Sequence, residues 1–224
     1  MEQKKITGIL GAMDGEIEGI VSAMEGASRR VYCGSEVFCG RIRGREVVLA
    51  RSGIGKVNAA FMAQALIREF GADELYMTGV AGSLGGLRTL DALVPDGFVQ
   101  YDVVKPGDPD GLIDILGEVV LRPDEGMSSA LAAAAGARRG ILATGEKFVG
   151  STADREDILR RFPSALAADM ESGAVAQVCS RLGVPFACVR IISDSGDADE
   201  YYDFVSRAAA AAVSAVLAAF LRGV

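Results

Sequence analysis

Along this 224-residue chain, two patterns of apolar and polar positions take turns. Short apolar runs bounded by glycine and polar residues read as strands. They are "KITGILGAM" (Lys5 to Met13), "EVFCGRIRG" and "REVVLARSG" (Glu36 to Gly53, turning at Gly44), "ELYMTGVAG", "ALVPDGFVQYDVV", "GILATGEKFVG", "ALAAD" and "PFACVRIISD". Between them the pattern predicts helices over Glu16 to Ala23, Val57 to Phe70, Ala153 to Phe162, Glu171 to Leu182 and Tyr202 to Leu221. In "VNAAFMAQALIREF" the apolar residues recur at the three-and-four spacing of a half-buried helix face. Strands alternating with helices predict an α/β fold: one domain over residues 1–224, with a central mixed, largely parallel twisted sheet flanked by helices.

Composition narrows the partners. Half of the residues are apolar and no long linker interrupts them, which suits one sizeable core. The formal charge of −7 and the scattering of 23 basic residues argue against nucleic acid and anionic membrane as partners. The alanine-rich run Ala208 to Leu221, interrupted by Ser214 and flanked by Arg207 and Arg222, reads as too short and too weakly hydrophobic to span a bilayer. The amino-terminal "MEQKKITGILGAM" does not read as a signal peptide, so a cytoplasmic location is expected. Cys33, Cys39, Cys179 and Cys188 lack CxxC spacing and are expected to be reduced, mostly buried thiols. The chain has no histidine, which excludes Ser-His-Asp and Cys-His catalysis and every His-based metal site. Acid-base chemistry must then rest on Asp, Glu, Lys, Tyr or backbone groups.

In open parallel sheets, ligands gather beyond the carboxyl ends of the strands. Three predicted strand ends carry acids: "GAMDGE" with Asp14 and Glu16, "DMES" with Asp169 and Glu171, and "RIISDSGD" with Asp194. Taken singly, each acid is explained as a helix cap that complements the dipole. Together, in a chain without histidine, they point towards a site. "SGIGKVNAA" opens a helix after a strand, where backbone amides can approach an anion or a sugar. It is neither a Walker loop nor a complete GxGxxG, because Asn58 stands at the third glycine position. "TGVAGSLGG" allows close approach to backbone, though tight turns explain its glycines equally. Neither a dinucleotide nor a metal is expected as cofactor.

Taken in order, "GILGAMDGEIEGI", "RSGIGKVNAAFMAQALI", "TGVAGSL", "GEKFVG", "ADMESGAVAQVCSRLGVPFACVRIISDSGDAD" and "YYDFVSRAA" resemble the methylthioadenosine/S-adenosylhomocysteine nucleosidases, within the purine nucleoside phosphorylase superfamily. The resemblance runs over nearly the whole chain and implies a nucleoside phosphorylase-like fold, a homodimer, no cofactor and a purine nucleoside as ligand. The implied reaction is hydrolysis of the bond between adenine and a ribose whose 5′ position carries a thioether. Asp194, with Ser193 beside it, matches the general acid that protonates the purine ring, which a poor leaving group requires. Glu16 matches the acid that orients or deprotonates the attacking water. Arg190, four residues before Asp194 and so on the same face of a regular strand, is implied to hold Glu16 ionised. Glu171 matches the carboxylate that grips the ribose hydroxyls, and Met170 the residue against the sugar. Asp169 is expected to be a structural, helix-start acid. Phe148 matches the aromatic that stacks on adenine, although an ordinary core phenylalanine would read the same way, and Val149 matches the residue whose backbone reads the purine edge. Met13 and Ile54 match apolar positions around the sugar and its 5′ substituent.

Several departures bear on that 5′ group. Val80 stands where many relatives have serine, and Tyr101 where histidine is frequent. The loop "VVKPGDPDGLIDILGEV", which in dimeric relatives helps to build the neighbour's 5′ pocket, aligns poorly, and the segment between Asp194 and "YYDF" is short. Alternatives therefore stand beside the main reading. One is a phosphorylase, disfavoured because Met77 occupies the place of a phosphate-binding arginine and Glu16 would repel the anion. Others are a hydrolase of futalosine-like nucleosides with a bulky 5′ extension, and a non-catalytic nucleoside-binding protein.

Overall fold

In this computed structural model the described residues are 5–105, 107–114, 116–195 and 198–221. Outside them lie Met1–Lys4 at the head of the amino-terminal stretch, Pro106 and Ile115 of the poorly aligning loop, Gly196 and Asp197 after Asp194, and Arg222. The first half of the chain runs β1 (Ile6–Gly11), a 3-10 turn (Asp14–Glu16), α1 (Glu18–Ala23), β2 (Glu25–Tyr32), β3 (Ser35–Ile42), β4 (Arg45–Arg51), α2 (Lys56–Arg68) and β5 (Glu74–Ser83). Then follow β6 (Ala92–Gln100), a small hairpin of β7 (Val104–Lys105) and β8 (Asp108–Leu112), α3 (Glu125–Ala135), β9 (Arg138–Thr144), α4 (Thr152–Arg161), β10 (Ala165–Asp169), α5 (Ser172–Leu182), β11 (Phe186–Asp194) and α6 (Ala198–Leu221).

Nine strands form one mixed sheet in the order β10-β9-β6-β11-β5-β1-β4-β3-β2. Its centre is parallel, with β1 between β4 and β5 and β11 beside β5. The far end of β5 also pairs antiparallel with β10, through Ala167 with Ser83 and Ala168 with Gly82. That second pairing curls β5, β11, β6, β9 and β10 into a closed ring of strands. Central parallel strands are covered on both faces and so read as continuous apolar runs; all nine residues of β11 are buried. One face packs Leu10, Met77 and Ile192 against Met62 and Leu66 of α2 and Val175 of α5. The other packs Ile9, Tyr76 and Val189 against Leu131 of α3 and Val213 and Val216 of α6. Fully burying such a side chain contributes roughly 1.5–3 kcal/mol, so the two layers, more than local propensity, hold the helices in place.

The structure departs from the pattern-based expectation where packing, not pattern, decides. The edge strand β2, "EGASRRVY", is almost wholly exposed and shows no apolar alternation. It is held by its pairing with β3, and its charges protect the open edge. Helix α3 is alanine-rich and lacks a marked apolar stripe, yet its ends are signed: Asp124 accepts from the Met127 amide at 2.8 Å, and Gly136 closes it at φ 61°. "GEKFVG" is a loop, since β9 stops at Thr144, and β6 likewise stops at Gln100. Helix α6 is longer than expected, and its Tyr201–Phe220 portion, with mean hydropathy 1.5, has the length and composition to cross a membrane. Here, however, Ala208, Ala212 and Val216 of that helix are buried in the second core layer. Cys179 and Cys188 are buried free thiols, as expected, whereas Cys33 is exposed on the β2–β3 hairpin and Cys39 is half-buried.

Candidate active site

Closure of the strand ring gathers the carboxyl ends of β1, β5, β10 and β11 around a cavity of about 340 Å³. Glu16 enters it because the chain leaves β1 through a 3-10 turn that folds the side chain back over the strand end. Its Oε2 accepts from the amides of Ala12 (2.7 Å) and Met13 (2.9 Å), and its Oε1 from the amide of Val80 (3.0 Å). Burial pushes the Glu16 carboxyl above its ordinary range, while Arg190 and these three amides pull it back. The side chain is thereby fixed in direction and kept at 1% exposure.

Glu171 stands where β10 hands over to α5. Gly55, at the mouth of α2, donates its amide to Glu171 Oε1 at 2.9 Å, and Arg190 Nη2 lies 3.5 Å from Oε2. Burial first, then the neighbouring Asp169 and Glu16, push its pKa up to about 7 against the pull of Arg190 and Gly55. Asp169 also reaches the cavity wall, but its oxygens are committed: Oδ1 accepts from Thr144 Oγ1 at 2.6 Å, and Oδ2 from the first amide of α5, Ser172, at 3.0 Å.

Arg190 is fully buried and pairs with Asp169 at 2.7 Å, Glu171 at 3.5 Å and Glu16 at 4.0 Å. Burial alone would favour its neutral form, but the surrounding anions hold the guanidinium charged. Its Nε and Nη2 also donate to Ser172 Oγ, at 3.1 and 2.9 Å. The register of β11 against β5 slips between Ile192 and Asp194. This bulge breaks the alternation that would put Arg190 and Asp194 on one face: Ser193 and Asp194 line the cavity, and Arg190 lies off its lining, beneath the carboxylates. Asp194 is 1% exposed and accepts from Ser193 Oγ at 2.8 Å. Gly79 makes the cluster possible, because a Cβ there would fall on the Arg190 guanidinium and 2.5 Å from Glu16 Oε1.

The remaining wall is apolar. Met13, Ile54, Val80, Val149 and Met170 line it with Phe148, so every predicted site residue except Arg190 meets at this one cavity. Phe148 and Ile54, 42% and 54% exposed, stand together at its rim, which suits a ligand-covered mouth. Pattern reading missed Tyr201, whose ring meets Phe148 edge to face at 5.3 Å and whose hydroxyl lies 3.7 Å from Met13 Sδ. The aromatic pair in "YYDF" was its only signal; Tyr202 and Lys147 line the mouth beside it. Among the described residues no group of Cys, Asp and Glu is arranged to hold a metal ion.

Known proteins similar to this chain are numerous. The profile of the phosphorylase superfamily matches residues 6–222. A 5′-methylthioadenosine/S-adenosylhomocysteine nucleosidase of Halalkalibacterium halodurans is 34% identical over 222 residues, covering 94% of this chain and 96% of that one. A nucleosidase of the same name from Neisseria meningitidis, crystallised with methylthio-immucillin-A, superposes with a TM-score of 0.90 at 32% identity, over 96% of this chain and 98% of its own. The futalosine hydrolase of Helicobacter pylori superposes with a TM-score of 0.89 at 28% identity, over 97% and 98% of the two chains. With such identity sustained over almost its full length, the chain belongs to the phosphorylase superfamily and, within it, to the 5′-methylthioadenosine/S-adenosylhomocysteine nucleosidases.

Proposed function

We propose that this chain hydrolyses the N-glycosidic bond of 5′-methylthioadenosine and S-adenosylhomocysteine, releasing adenine and the thioribose sugar. The observation that carries the reading is the meeting of Glu16, Glu171 and Asp194, carboxylates from separate strand ends, on one largely apolar cavity where the fourth, Asp169, is already committed to Thr144 and Ser172. Asp194 gives its proton to the purine ring at nitrogen seven as the bond to the anomeric carbon breaks, so the departing electron pair settles on a neutral adenine. The sugar, with oxocarbenium character, is attacked by a water whose proton passes to Glu16. Two carboxylates with a water between them is the arrangement of inverting glycoside hydrolysis. Glu171 holds the ribose hydroxyls, Met170 lies against the sugar, Phe148 stacks on adenine and the backbone of Val149 reads the purine edge. Met13 and Ile54 surround the 5′ substituent, and Ser193 orients Asp194. Val80 contributes its amide to Glu16 but lacks the hydroxyl that serine supplies in many relatives, and Arg190 balances the charge of the carboxylates from beneath.

The same reading takes residues 1–224 as one nucleosidase domain, working as a cytoplasmic homodimer in methionine salvage, without cofactor. The test is adenine release from methylthioadenosine, S-adenosylhomocysteine and futalosine-like nucleosides in phosphate-free buffer, for wild type and Asp194→Asn. Expected is phosphate-independent release from the thioether nucleosides, reduced about 10²–10⁴-fold in the variant, the usual contribution of a positioned general acid. Near-normal turnover of a folded Asp194→Asn removes Asp194 from its role. Sugar phosphate formed only when phosphate is added makes the protein a phosphorylase, and turnover of the futalosine-like compound alone makes it a hydrolase of that class.

A further inference from the structure

Outside the carboxylate cluster, three charged residues, one opening a helix and two from separate loops, close a ring of hydrogen bonds. Lys56, the first residue of α2, donates from Nζ to Asp102 Oδ1 at 2.6 Å. Asp102, just beyond β6, accepts on Oδ2 from the amide of Glu146 at 2.9 Å. Glu146, just beyond β9, accepts on Oε1 from the amide of Lys56 at 2.9 Å, which closes the circuit. A further strut joins it to α5: Lys56 Nζ reaches Gln100 Oε1 at 3.3 Å, and Gln100 Nε2 donates to Gln177 Oε1 at 2.9 Å. The Lys56 and Asp102 side chains are only 16% and 29% exposed, so solvent and salt screen this pair less than an ordinary surface pair.

What the ring encloses decides what it does. Gly55, adjacent to Lys56, turns at φ 98°, in the region that favours glycine, and a Cβ there would sit 2.8 Å from Glu146 Oε2. Its amide is the donor to Glu171 Oε1. On the other side, Glu146 opens the loop that carries Phe148 and Val149 into the cavity. The ring therefore stands between the turn that aims the Glu171 carboxylate and the loop that walls the opposite side of the cavity. We infer that Lys56, Asp102 and Glu146 act as a positioning device that fixes the Gly55 amide on Glu171 and locks the Phe148 loop to it, so that sugar and base are held in one geometry. This rests on the reading of Glu171 and Phe148 given above. Lys56 is thus a positioning residue: it acts through Gly55 and touches no reacting atom.

The test uses Lys56→Met, which keeps the aliphatic stem and removes the cation, with Asp102→Asn as the variant of unchanged shape should the first not fold. Two readouts separate the inference from the reading beneath it. In the ligand-free protein, exchange of the Gly55 and Lys56 amides is followed by NMR; it is expected to quicken at least about tenfold while amides of β5 keep their rates. In the assay with methylthioadenosine, KM is expected to rise about tenfold with kcat within about threefold, the scale of one slackened charge-assisted hydrogen bond. In a Glu171→Ala background, which leaves the Gly55 amide without its acceptor, the same substitution is expected to change KM less than about twofold, because the group it acts through is gone. Unchanged exchange at Gly55, or a full tenfold effect retained without Glu171, overturns the inference. A wild type that releases no adenine overturns the functional reading instead, and the exchange rates still decide the ring.

Discussion

Replacing Glu171 by glutamine should make the protein more stable at alkaline pH while impairing its reaction. The carboxyl is 5% exposed and its pKa is raised from 4.5 to about 7, chiefly by burial. A group raised in the folded state binds its proton more tightly there than in the unfolded chain. Its contribution to stability is complete below pH 4.5 and is lost as pH climbs through about 7. At about 1.4 kcal/mol for each pH unit, carrying the charged form at pH 8 costs up to about 3 kcal/mol. Glutamine imitates the uncharged acid and avoids that cost, and Arg190 remains paired with Asp169 at 2.7 Å and Glu16 at 4.0 Å. Urea unfolding at pH 5 and pH 8, at one protein concentration, is the assay. Expected is near equality at pH 5 and a gain of about 1–3 kcal/mol for the variant at pH 8, or roughly 2–10 °C in Tm for a chain of this size. A variant less stable than wild type at pH 8 would refute the reasoning, since it would mean that the Arg190–Glu171 pair outweighs the cost of burying it.

Two further outcomes follow from the geometry. Gly79→Ala drives a methyl group into the Arg190 guanidinium and Glu16; about 3 kcal/mol should be lost in urea unfolding, where overpacking and a displaced buried ion pair combine, and a loss below about 1 kcal/mol would show that the cluster yields easily. Phe148→Leu removes the ring that meets Tyr201 at 5.3 Å; calorimetric binding of adenine should weaken about three- to tenfold, and unchanged affinity would take the base platform away from Phe148.

Much of this was legible before any coordinates, for reasons that differ from element to element. β5 and β11 are buried on both faces and announce themselves as apolar runs, and the acids that follow β1, β10 and β11 stand where a parallel sheet presents its ligands. β2 was hidden because a polar edge strand is defined by its partner, and α3 because alanine and serine give a helix almost no face. The bulge before Asp194 left no mark in the pattern, because alternation of faces is legible only in regular strands, although Arg190 still reaches Glu16 as its spacing implied. The Lys56, Asp102 and Glu146 ring has no periodic signature at all, since its three links join residues 44, 46 and 90 positions apart in the chain.

The double pairing of β5 has a consequence for how the protein comes into being. Gly82 is in register with Ala168 on one side and with Asp194 on the other. The chain up to β5 carries Met13, Glu16, Ile54 and Val80, yet Phe148, Val149, Met170, Glu171 and Asp194 are synthesised only from residue 148 onward. Contacts of such long sequence separation form late and slowly. A chain that stops before β10 lacks Glu171, Asp194 and the pairing that closes the ring, so activity is expected only when all of these are present.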